Sequence, residues 1–176
     1  GGIGDGGAIC TDNDLMAAQI SALRQYGWLN KYDISIENAR NSRMDAINAA
    51  VLVDKLSEID FQNARRREIL SRFLRASEGT DFFPYKQINA DNVAHLAVGI
   101  SKNPEKMIKY FADNGIELTR HYPLQDSQQL GLNQNGSTLN TDTAKWLCES
   151  VVSLPIYPWM SDEQVSHVCN SLVEWG

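Results

Sequence analysis

The chain has few of the residues that build disulfide frameworks and metal centres. It holds three cysteines and three histidines among 176 residues, and no two cysteines form a C-x-x-C pair. An odd number of widely spaced cysteines argues against a disulfide framework and favours buried thiols in a reducing compartment. The histidines share no ligand spacing, so the sequence predicts no metal site.

Positive charge and long apolar runs are also scarce. The net charge is −6, which argues against a nucleic-acid-binding face because such a face is basic. No apolar run approaches the roughly 20 residues that span a bilayer, and the N-terminus lacks the basic and apolar regions of a signal peptide. We therefore expect a cytoplasmic protein without nucleic-acid or membrane partners. The 43% hydrophobic content predicts a packed core.

The opening stretch GGIGDGGAICTDND contains a glycine cluster that fits the dinucleotide-binding pattern G-x-G-x-x-G, from Gly2 to Gly7. That fingerprint must follow a strand and lead directly into a helix. Here a β-prone run, residues 8–11, comes after the glycines, and a helix start with capping-box spacing from Thr11 to Asp14 follows that run. We therefore interpret the cluster as a tight turn whose glycines adopt positive φ angles.

Predicted helices and strands alternate along the chain. Apolar spacing, caps and glycine stops predict helices over residues 14–25, 44–76 with a break near Asp60, 104–114, 141–150 and 161–175. β-prone runs predict strands over residues 8–11, 93–100, 116–121 and 151–156. The intervening stretches are predicted loops, over residues 28–42, 79–89 and 122–140. The alternation in the second half predicts a small α/β domain.

A basic stretch, ARRREIL, lies in the second half of the long predicted helix, over residues 64–70. The aliphatic part of an arginine side chain can cover apolar neighbours while its guanidinium group stays in water. We therefore predict a solvated helix face here rather than a binding surface.

Six short stretches resemble one family when they are taken in order. They are spread over the whole chain: GDGGAICTDND, LRQYG, NSRMDAINAA, NARRREI, HYP and SLPIYPWMSDEQV. Together they resemble the C-terminal half of the DegT/DnrJ/StrS family of pyridoxal-phosphate-dependent sugar aminotransferases. The stretch YGWLNKY, followed by NSRMD, is similar to the members that act on the keto group of a dTDP-linked 6-deoxyhexose.

The resemblance implies the C-terminal part of a fold type I, aspartate-aminotransferase-like α/β enzyme. Residues 1–43 would be a remnant of the large cofactor-binding domain, residues 44–78 a long linking helix, and residues 79–176 the small C-terminal α/β domain. It also implies a homodimer with pyridoxal phosphate at the subunit interface. The implied reaction moves an amino group, usually from glutamate, to a nucleotide-linked keto-sugar for polysaccharide or other glycan biosynthesis.

The same resemblance implies how the cofactor is held. The family's Schiff-base lysine lies just upstream of G-D-G-G, so we expect it before Gly1 and expect this chain to be inactive by itself. The family's motif asparagine, here Asn41, reaches the partner subunit's cofactor phosphate, and an amide donor suits a phosphate oxygen. The alternative is that Asn41 only caps the helix predicted to start at Met44.

Substrate binding is implied for four residues: Lys31, Tyr32, Arg43 and His121. Arg43 shares the motif of Asn41 and would either hold this loop or approach the phosphates of the sugar nucleotide, since its guanidinium suits both. Lys31 and Tyr32 occupy a loop that faces the sugar nucleotide in relatives, and an ordinary surface loop is the alternative. His121 belongs to the HYP stretch beside the substrate pocket, and a structural histidine at a strand end is the alternative.

The chain departs from the family pattern at three places, and the third, a missing histidine, leaves the sugar specificity open. Ala39 stands where the family usually has glycine, and Asn48 stands where it usually has glutamine. HYP is followed by LQDSQ rather than P-x-P-L-H, so a second histidine is missing near the implied sugar pocket.

Two other functions fit the sequence. One is a non-catalytic module derived from this family and used in assembly or regulation, which the lack of a lysine upstream of Gly1 would favour. The other is an unrelated α/β binding domain in which the six stretches coincide by chance. A full-length protein without visible absorbance from the cofactor would favour that second reading.

Overall fold

The computed structural model describes residues 2–85, 91–129, 131 and 141–176. The chain divides into two compact units, Gly1–Ile59 and Asp60–Gly176. Parts of the predicted loops over residues 79–89 and 122–140 lie outside the described residues. Within the described ranges, no helix is both long and apolar enough to cross a membrane.

The first unit places a short hairpin between helices. Its elements are α1 Asp14–Leu23, β1 Trp28–Asn30, β2 Asp33–Ile34 and α2 Ala46–Leu56. Helix α1 begins after Asn13, whose side-chain oxygen accepts a hydrogen bond from the Met16 backbone N–H at 3.0 Å. The capping box predicted from Thr11 is therefore wrong. Thr11 Oγ1 instead accepts a hydrogen bond from the Asn13 N–H at 3.1 Å.

The β1–β2 hairpin lies where the sequence predicts a loop. Gly27 opens it at a φ of +74°, and a Cβ at this position would strike the Ile36 carbonyl oxygen. The Gly27 carbonyl accepts hydrogen bonds from the Ser35 N–H at 2.9 Å and the Ile36 N–H at 3.2 Å. A residue with a side chain would be strained here, so glycine is what permits the hairpin to close.

The long predicted helix is in fact two helices, and the predicted break near Asp60 is confirmed. Helix α2 ends at Leu56, and helix α3 spans Ile59–Ala76. At the break, the Ser57 N–H donates to the Asp54 carbonyl at 3.3 Å, and the Ser57 hydroxyl donates to the same carbonyl at 2.8 Å. The backbone bond has the tight i→i+3 spacing that is frequent at helix ends.

The second unit packs helices onto an antiparallel sheet. After α3 its described elements are β3 Phe82–Pro84, β4 Ala97–Ser101, α4 Pro104–Asp113, a 3₁₀ turn Asp126–Gln128, α5 Asp142–Ser150, β5 Val151–Leu154 and α6 Asp162–Trp175. The strand order is β3-β4-β5, with Phe82 opposite Ser101 and Ala97 opposite Leu154. The mixed α/β architecture predicted for this half is confirmed.

The core of the second unit is formed by the sheet together with helices α3, α4 and α6. Its largest fully buried side chains are Ile69, Phe73, Phe82, Met107, Phe111, Val152, Val165 and Leu172. Strand β4 passes close to β3 at Gly99, where a Cβ would lie 2.8 Å from Pro84 Cα and would strike the Phe82 ring. Glycine at this position therefore leaves room for Phe82 to pack.

The three helices predicted after residue 100 are confirmed to within one residue at each end. The last of them, α6, begins as the sequence predicts from its cap residues. Ser161 Oγ accepts a hydrogen bond from the Gln164 N–H at 3.2 Å, and Gln164 Oε1 accepts one from the Ser161 N–H at 2.9 Å. This reciprocal pair is a capping box.

Several strand predictions are wrong in part. Residues 8–11 belong to no strand in the described structure and are exposed. Residues 116–121 contribute only an isolated bridge between Thr119 and Ser153, and residues 93–96 lie outside β4. Conversely, the predicted loop over residues 79–89 contains β3. β-prone side chains form a strand only where a neighbouring strand pairs with them.

The basic stretch is also more than a solvated face. Arg65, whose side chain is 18% exposed, donates to Asp162 Oδ1 at 2.8 Å. Arg72, two turns further along α3, donates to the same oxygen at 3.1 Å and to Ser166 Oγ at 2.8 Å. These bonds join α3 to the first turns of α6. The hydrogen bond from Arg65, with a smaller contribution from Arg72, lowers the pKa of Asp162.

Candidate functional site

The glycine cluster lies against helix α2. The Ile3 N–H donates to Asn48 Oδ1 at 3.0 Å, and Asn48 Nδ2 donates to the Asp5 carbonyl at 3.3 Å. Among the described residues of the cluster, no glycine has a positive φ, so the predicted reason for the glycines is wrong. Gly2 and Gly6 instead approach neighbouring side chains closely, since a Cβ would strike Asn48 at Gly2 and lie 2.8 Å from Met44 Cε at Gly6. A Cβ at Gly4 or Gly7 would meet nothing within 4 Å.

Every lysine that the structure describes is exposed. These are Lys31, Lys55, Lys102, Lys106, Lys109 and Lys145. Two of them are also engaged in ion pairs, Lys102 with Asp81 at 2.7 Å and Lys109 with Asp113 at 2.9 Å. A lysine that forms a Schiff base is activated by removal from water, and the described lysines lack such a setting.

Most of the predicted site residues lie in one continuous chain of side-chain contacts, which we call the hairpin cluster. Its members are Asn41, Arg43, Tyr26, Trp28, Tyr32 and Lys31. Arg43 Nε donates to Asn41 Oδ1 at 3.3 Å, and the Arg43 guanidinium lies 5.9 Å from the centre of the Tyr26 ring. The Trp28 ring lies 5.0 Å from Tyr26 and 5.3 Å from Tyr32. Lys31 Nζ lies 4.9 Å from the Tyr32 ring.

The hairpin cluster is therefore a row of three aromatic rings with a cation at each end. Tyr32 is 76% exposed and Tyr26 39% exposed. Both tyrosines have positive φ, 72° and 58°, a conformation that costs energy in any residue except glycine and that recurs at ligand sites. Exposed rings bind planar groups by stacking, and guanidinium and ammonium groups bind anions. The arrangement suits a ligand that combines a planar ring with phosphates.

Asn41 is not the cap of helix α2. That helix begins after Asp45, its N-cap residue, so the capping alternative for Asn41 is wrong. The Asn41 backbone instead forms an antiparallel bridge with Gln25, and the next residue, Ser42, donates its N–H to the Arg24 carbonyl at 3.0 Å. These bonds hold Asn41 beside the end of α1 with its side chain exposed.

His121 belongs to the second unit, where it lines a cavity of about 650 Å³. Its Nδ1 lies 2.9 Å from Ser153 Oγ on β5 and 3.5 Å from Thr119 Oγ1, and its ring meets the Tyr122 ring edge-on at 5.3 Å. The other lining residues are mainly apolar and include Phe83, Tyr85, Val98, Ile100, Leu147 and Val151. His121 is thus a half-buried, oriented polar group in an apolar cavity.

Tyr26 and Trp28 belong to the hairpin cluster, although the sequence analysis does not predict them as candidate site residues. The stretch YGWLNKY carries the signal, since it places three aromatic residues around one glycine. Spacing alone cannot show that these rings come together, because their meeting depends on the Gly27 turn. No group of three or more histidine, cysteine, aspartate or glutamate residues that could hold a metal ion is found in the described part of the chain.

A solved structure with the same fold defines the class of protein. S. venezuelae DesV, in complex with a ketimine intermediate, matches 99% of this chain at a TM-score of 0.89 and 27% identity. The match covers 48% of the DesV chain. Together with the mixed α/β architecture, this confirms the predicted fold, that of the C-terminal part of a fold type I enzyme.

The family follows from the sequence comparison. The DegT/DnrJ/EryC1/StrS aminotransferase family matches residues 2–173, and the chain belongs to this family. It is 34% identical over 97% of its length to dTDP-3-amino-3,6-dideoxy-alpha-D-galactopyranose transaminase from Aneurinibacillus thermoaerophilus, covering 47% of that protein. It is 31% identical over 98% of its length to the erythromycin biosynthesis sensory transduction protein EryC1 of Saccharopolyspora erythraea, covering 48%. The chain thus spans about half the length of these curated relatives, and the prediction of an unrelated binding domain is wrong.

Proposed function

We propose that this chain is part of a pyridoxal-phosphate-dependent aminotransferase that converts a nucleotide-linked keto-sugar to an amino-sugar. The family match over residues 2–173 carries the proposal, and the similarity to a dTDP-sugar transaminase supports the substrate class. The amino donor is glutamate, the reaction takes place in the cytoplasm, and the product serves the synthesis of a polysaccharide or other glycan.

The chain's own residues fit the phosphate of the cofactor. When bound, pyridoxal phosphate supplies the electron sink for amino transfer. The Asn41 side chain is exposed, and its amide NH2 group is a donor that suits a phosphate oxygen. In the proposed homodimer, Asn41 donates to the phosphate held by the partner subunit. The Schiff-base lysine lies upstream of Gly1, so residues 1–176 alone are inactive.

The hairpin cluster would bind the nucleotide part of the substrate. Stacking of a base on an aromatic side chain contributes about 1–3 kcal/mol per base, and the exposed Tyr32 ring offers such a surface beside Trp28. Arg43 would approach the phosphates of the sugar nucleotide, and Lys31, at the other end of the row, would contact another part of the same nucleotide.

His121 would orient the sugar. The contact between its Nδ1 and Ser153 Oγ fixes the imidazole ring, so Nε2 is the nitrogen that would meet a sugar hydroxyl. The apolar residues around it suit the methyl group of a 6-deoxyhexose.

The experiment that tests the proposal uses the full-length protein that contains this chain. Incubation with pyridoxal phosphate and removal of the excess should leave a visible absorbance band. Replacement of the lysine upstream of Gly1 by alanine should abolish that band while the protein stays folded. A folded full-length protein that retains no cofactor would contradict the proposal.

A non-catalytic role is the second candidate, favoured by the name of one relative, the erythromycin biosynthesis sensory transduction protein. In that case the chain would be a regulatory or assembly module that keeps the family's fold. The residues that precede Gly1 in the full-length protein separate the two functions. A lysine within the few residues before Gly1 supports the enzyme, whereas its absence supports the module.

A further inference from the structure

Asn48 is a buried polar side chain on helix α2 that holds the glycine cluster with both ends of its amide. It is 7% exposed. Its Oδ1 accepts the hydrogen bond from the Ile3 N–H at 3.0 Å, and its Nδ2 donates to the Asp5 carbonyl at 3.3 Å. Because these partners lie 45 and 43 residues away in the sequence, one amide joins two distant stretches of the first unit.

The glycines on either side fit closely around this amide. A Cβ at Gly2 would strike Asn48, and a Cβ at Gly6 would lie 2.8 Å from Met44 Cε and 3.3 Å from Asn48 Nδ2. A Cβ at Gly4 would meet nothing within 4 Å. Residues 2–6 therefore wrap around Asn48, and we call the two hydrogen bonds and the two glycine contacts the Asn48 clamp.

The clamp requires a side chain that both donates and accepts. Asparagine and glutamine provide this pair, whereas a carboxylate only accepts and an apolar side chain does neither. Loss of the amide would leave the Ile3 N–H and the Asp5 carbonyl without their partner on α2, which costs free energy. We expect the clamp then to open, because residues 2–6 are exposed to solvent.

We infer that Asn48 is a positioning residue for the Schiff-base lysine, an inference that rests on the proposed function. The lysine is proposed to lie directly upstream of Gly1, and residues 2–6 are the chain that leads away from it. Asn48 acts through this backbone without touching substrate or cofactor. Fixing Ile3 and Asp5 on α2 fixes the start of the segment, and a misplacement of about 1 Å at a reacting group can cost about a hundredfold in rate.

Four variants of the full-length protein test the inference. Asn48→Ala removes both hydrogen bonds, and Asn48→Gln keeps a donor and an acceptor on a longer side chain. Gly2→Ala pushes the amide away without altering α2. Gly4→Ala adds the same methyl group where there is space, so it is the matched control.

Three readouts separate positioning from folding. Amide hydrogen exchange over residues 2–6 in the cofactor-free protein measures the clamp itself. The pH at which the visible band of the bound cofactor titrates, and the separate values of kcat and KM, measure the placement of the lysine. For Asn48→Ala and Gly2→Ala we expect faster exchange, a shifted titration pH, and a kcat lowered about tenfold to a hundredfold with little change in the KM of the sugar nucleotide. Gly4→Ala should match the wild type in all three readouts. Asn48→Gln should give values between those of the wild type and those of Asn48→Ala.

Faster exchange with an unchanged titration pH and kcat would overturn the inference, because Asn48 would then have only a structural role. Unchanged exchange in both Asn48→Ala and Gly2→Ala would overturn it as well. If Asn48→Ala does not fold, Gly2→Ala and Asn48→Gln decide by the same readouts. A wild-type protein without a visible band would refute the proposed function and this inference with it. An unchanged titration pH and kcat, or an unchanged exchange rate, would refute the inference alone.

Discussion

The contact between Arg43 and Asn41 shows how one side chain sets the chemistry of another. Arg43 Nε donates to Asn41 Oδ1 at 3.3 Å, so the amide oxygen already accepts one hydrogen bond, and we expect the amide nitrogen to be the group that serves a ligand. An asparagine oriented in this way presents a donor, which is what a phosphate oxygen requires. The neighbouring guanidinium adds positive charge without taking up that donor.

Replacement of Asn41 by alanine should therefore weaken retention of the cofactor. A hydrogen bond to a charged group contributes about 1.5–3 kcal/mol, so the Kd of pyridoxal phosphate should rise about tenfold or more. Equilibrium dialysis of the full-length protein measures this Kd. Asn170→Ala, on an exposed position of α6, is the control and should leave the Kd unchanged. An unchanged Kd in Asn41→Ala would remove the phosphate role.

At the scale of elements, the sequence predicts the helices far better than the strands. Helices carry their signal locally, as the Ser161 cap and the regular apolar spacing of α6 show. Strands β2 and β3 have two and three residues, too few to show alternation, and they form because neighbouring chain pairs with them. Residues 8–11 have the right composition but no described pairing. The hairpin cluster was predictable in its residue types only, since its assembly depends on Gly27.

The hairpin is the element whose variants should change substrate binding. Trp28→Ala should raise the KM of the sugar nucleotide about fivefold to a hundredfold, because it removes the ring that supports Tyr32, while kcat changes little. Trp28→Phe, which keeps an aromatic ring, should raise this KM less than Trp28→Ala does. Initial-rate kinetics of the full-length enzyme measure both constants. Trp159→Ala, at an exposed tryptophan outside the cluster, is the control, and an equal effect there would argue against the hairpin.

The link between α3 and α6 should make stability depend on pH. Arg65 and Arg72 lower the pKa of Asp162 in the folded state. The contribution of Asp162 to the free energy of unfolding is therefore present above its unfolded-state pKa and is lost as pH falls through its folded-state pKa. Asp162→Asn should therefore lower the thermal unfolding midpoint at pH 7, and the difference from wild type should shrink below about pH 4.

The matched control is Asp113→Asn, at an exposed carboxylate that pairs with Lys109 within α4. The Asp162 side chain is itself 76% exposed, but its partners Arg65 and Arg72 are only 18% and 25% exposed, whereas Lys109 is 76% exposed. Pairs between two exposed groups contribute little, so the unfolding midpoint of Asp113→Asn should stay close to that of the wild type. An Asp162→Asn variant that behaved like this control at pH 7 would show that the link does not stabilise the second unit.

At the scale of the whole molecule, the two units differ in how they bury apolar side chains. Both units expose large apolar residues, such as Phe61 at 67% in the second and Leu15 at 84% and Ile47 at 72% in the first, but the buried core cluster belongs to the second unit. Contiguous exposed apolar surface marks places where other protein packs. The chain spans about half the length of its relatives, so we expect the rest of the enzyme or its partner subunit to cover these residues.

The most direct test of the proposed function is amino transfer by the full-length protein. The protein is loaded with pyridoxal phosphate and incubated with glutamate and a dTDP-linked keto-6-deoxyhexose, and the products are separated by chromatography and identified by mass spectrometry. The proposal predicts equal amounts of 2-oxoglutarate and a dTDP-linked amino-sugar, with neither product formed once the lysine upstream of Gly1 is replaced. A folded, cofactor-loaded protein that forms no amino-sugar from any nucleotide-linked keto-sugar would contradict it.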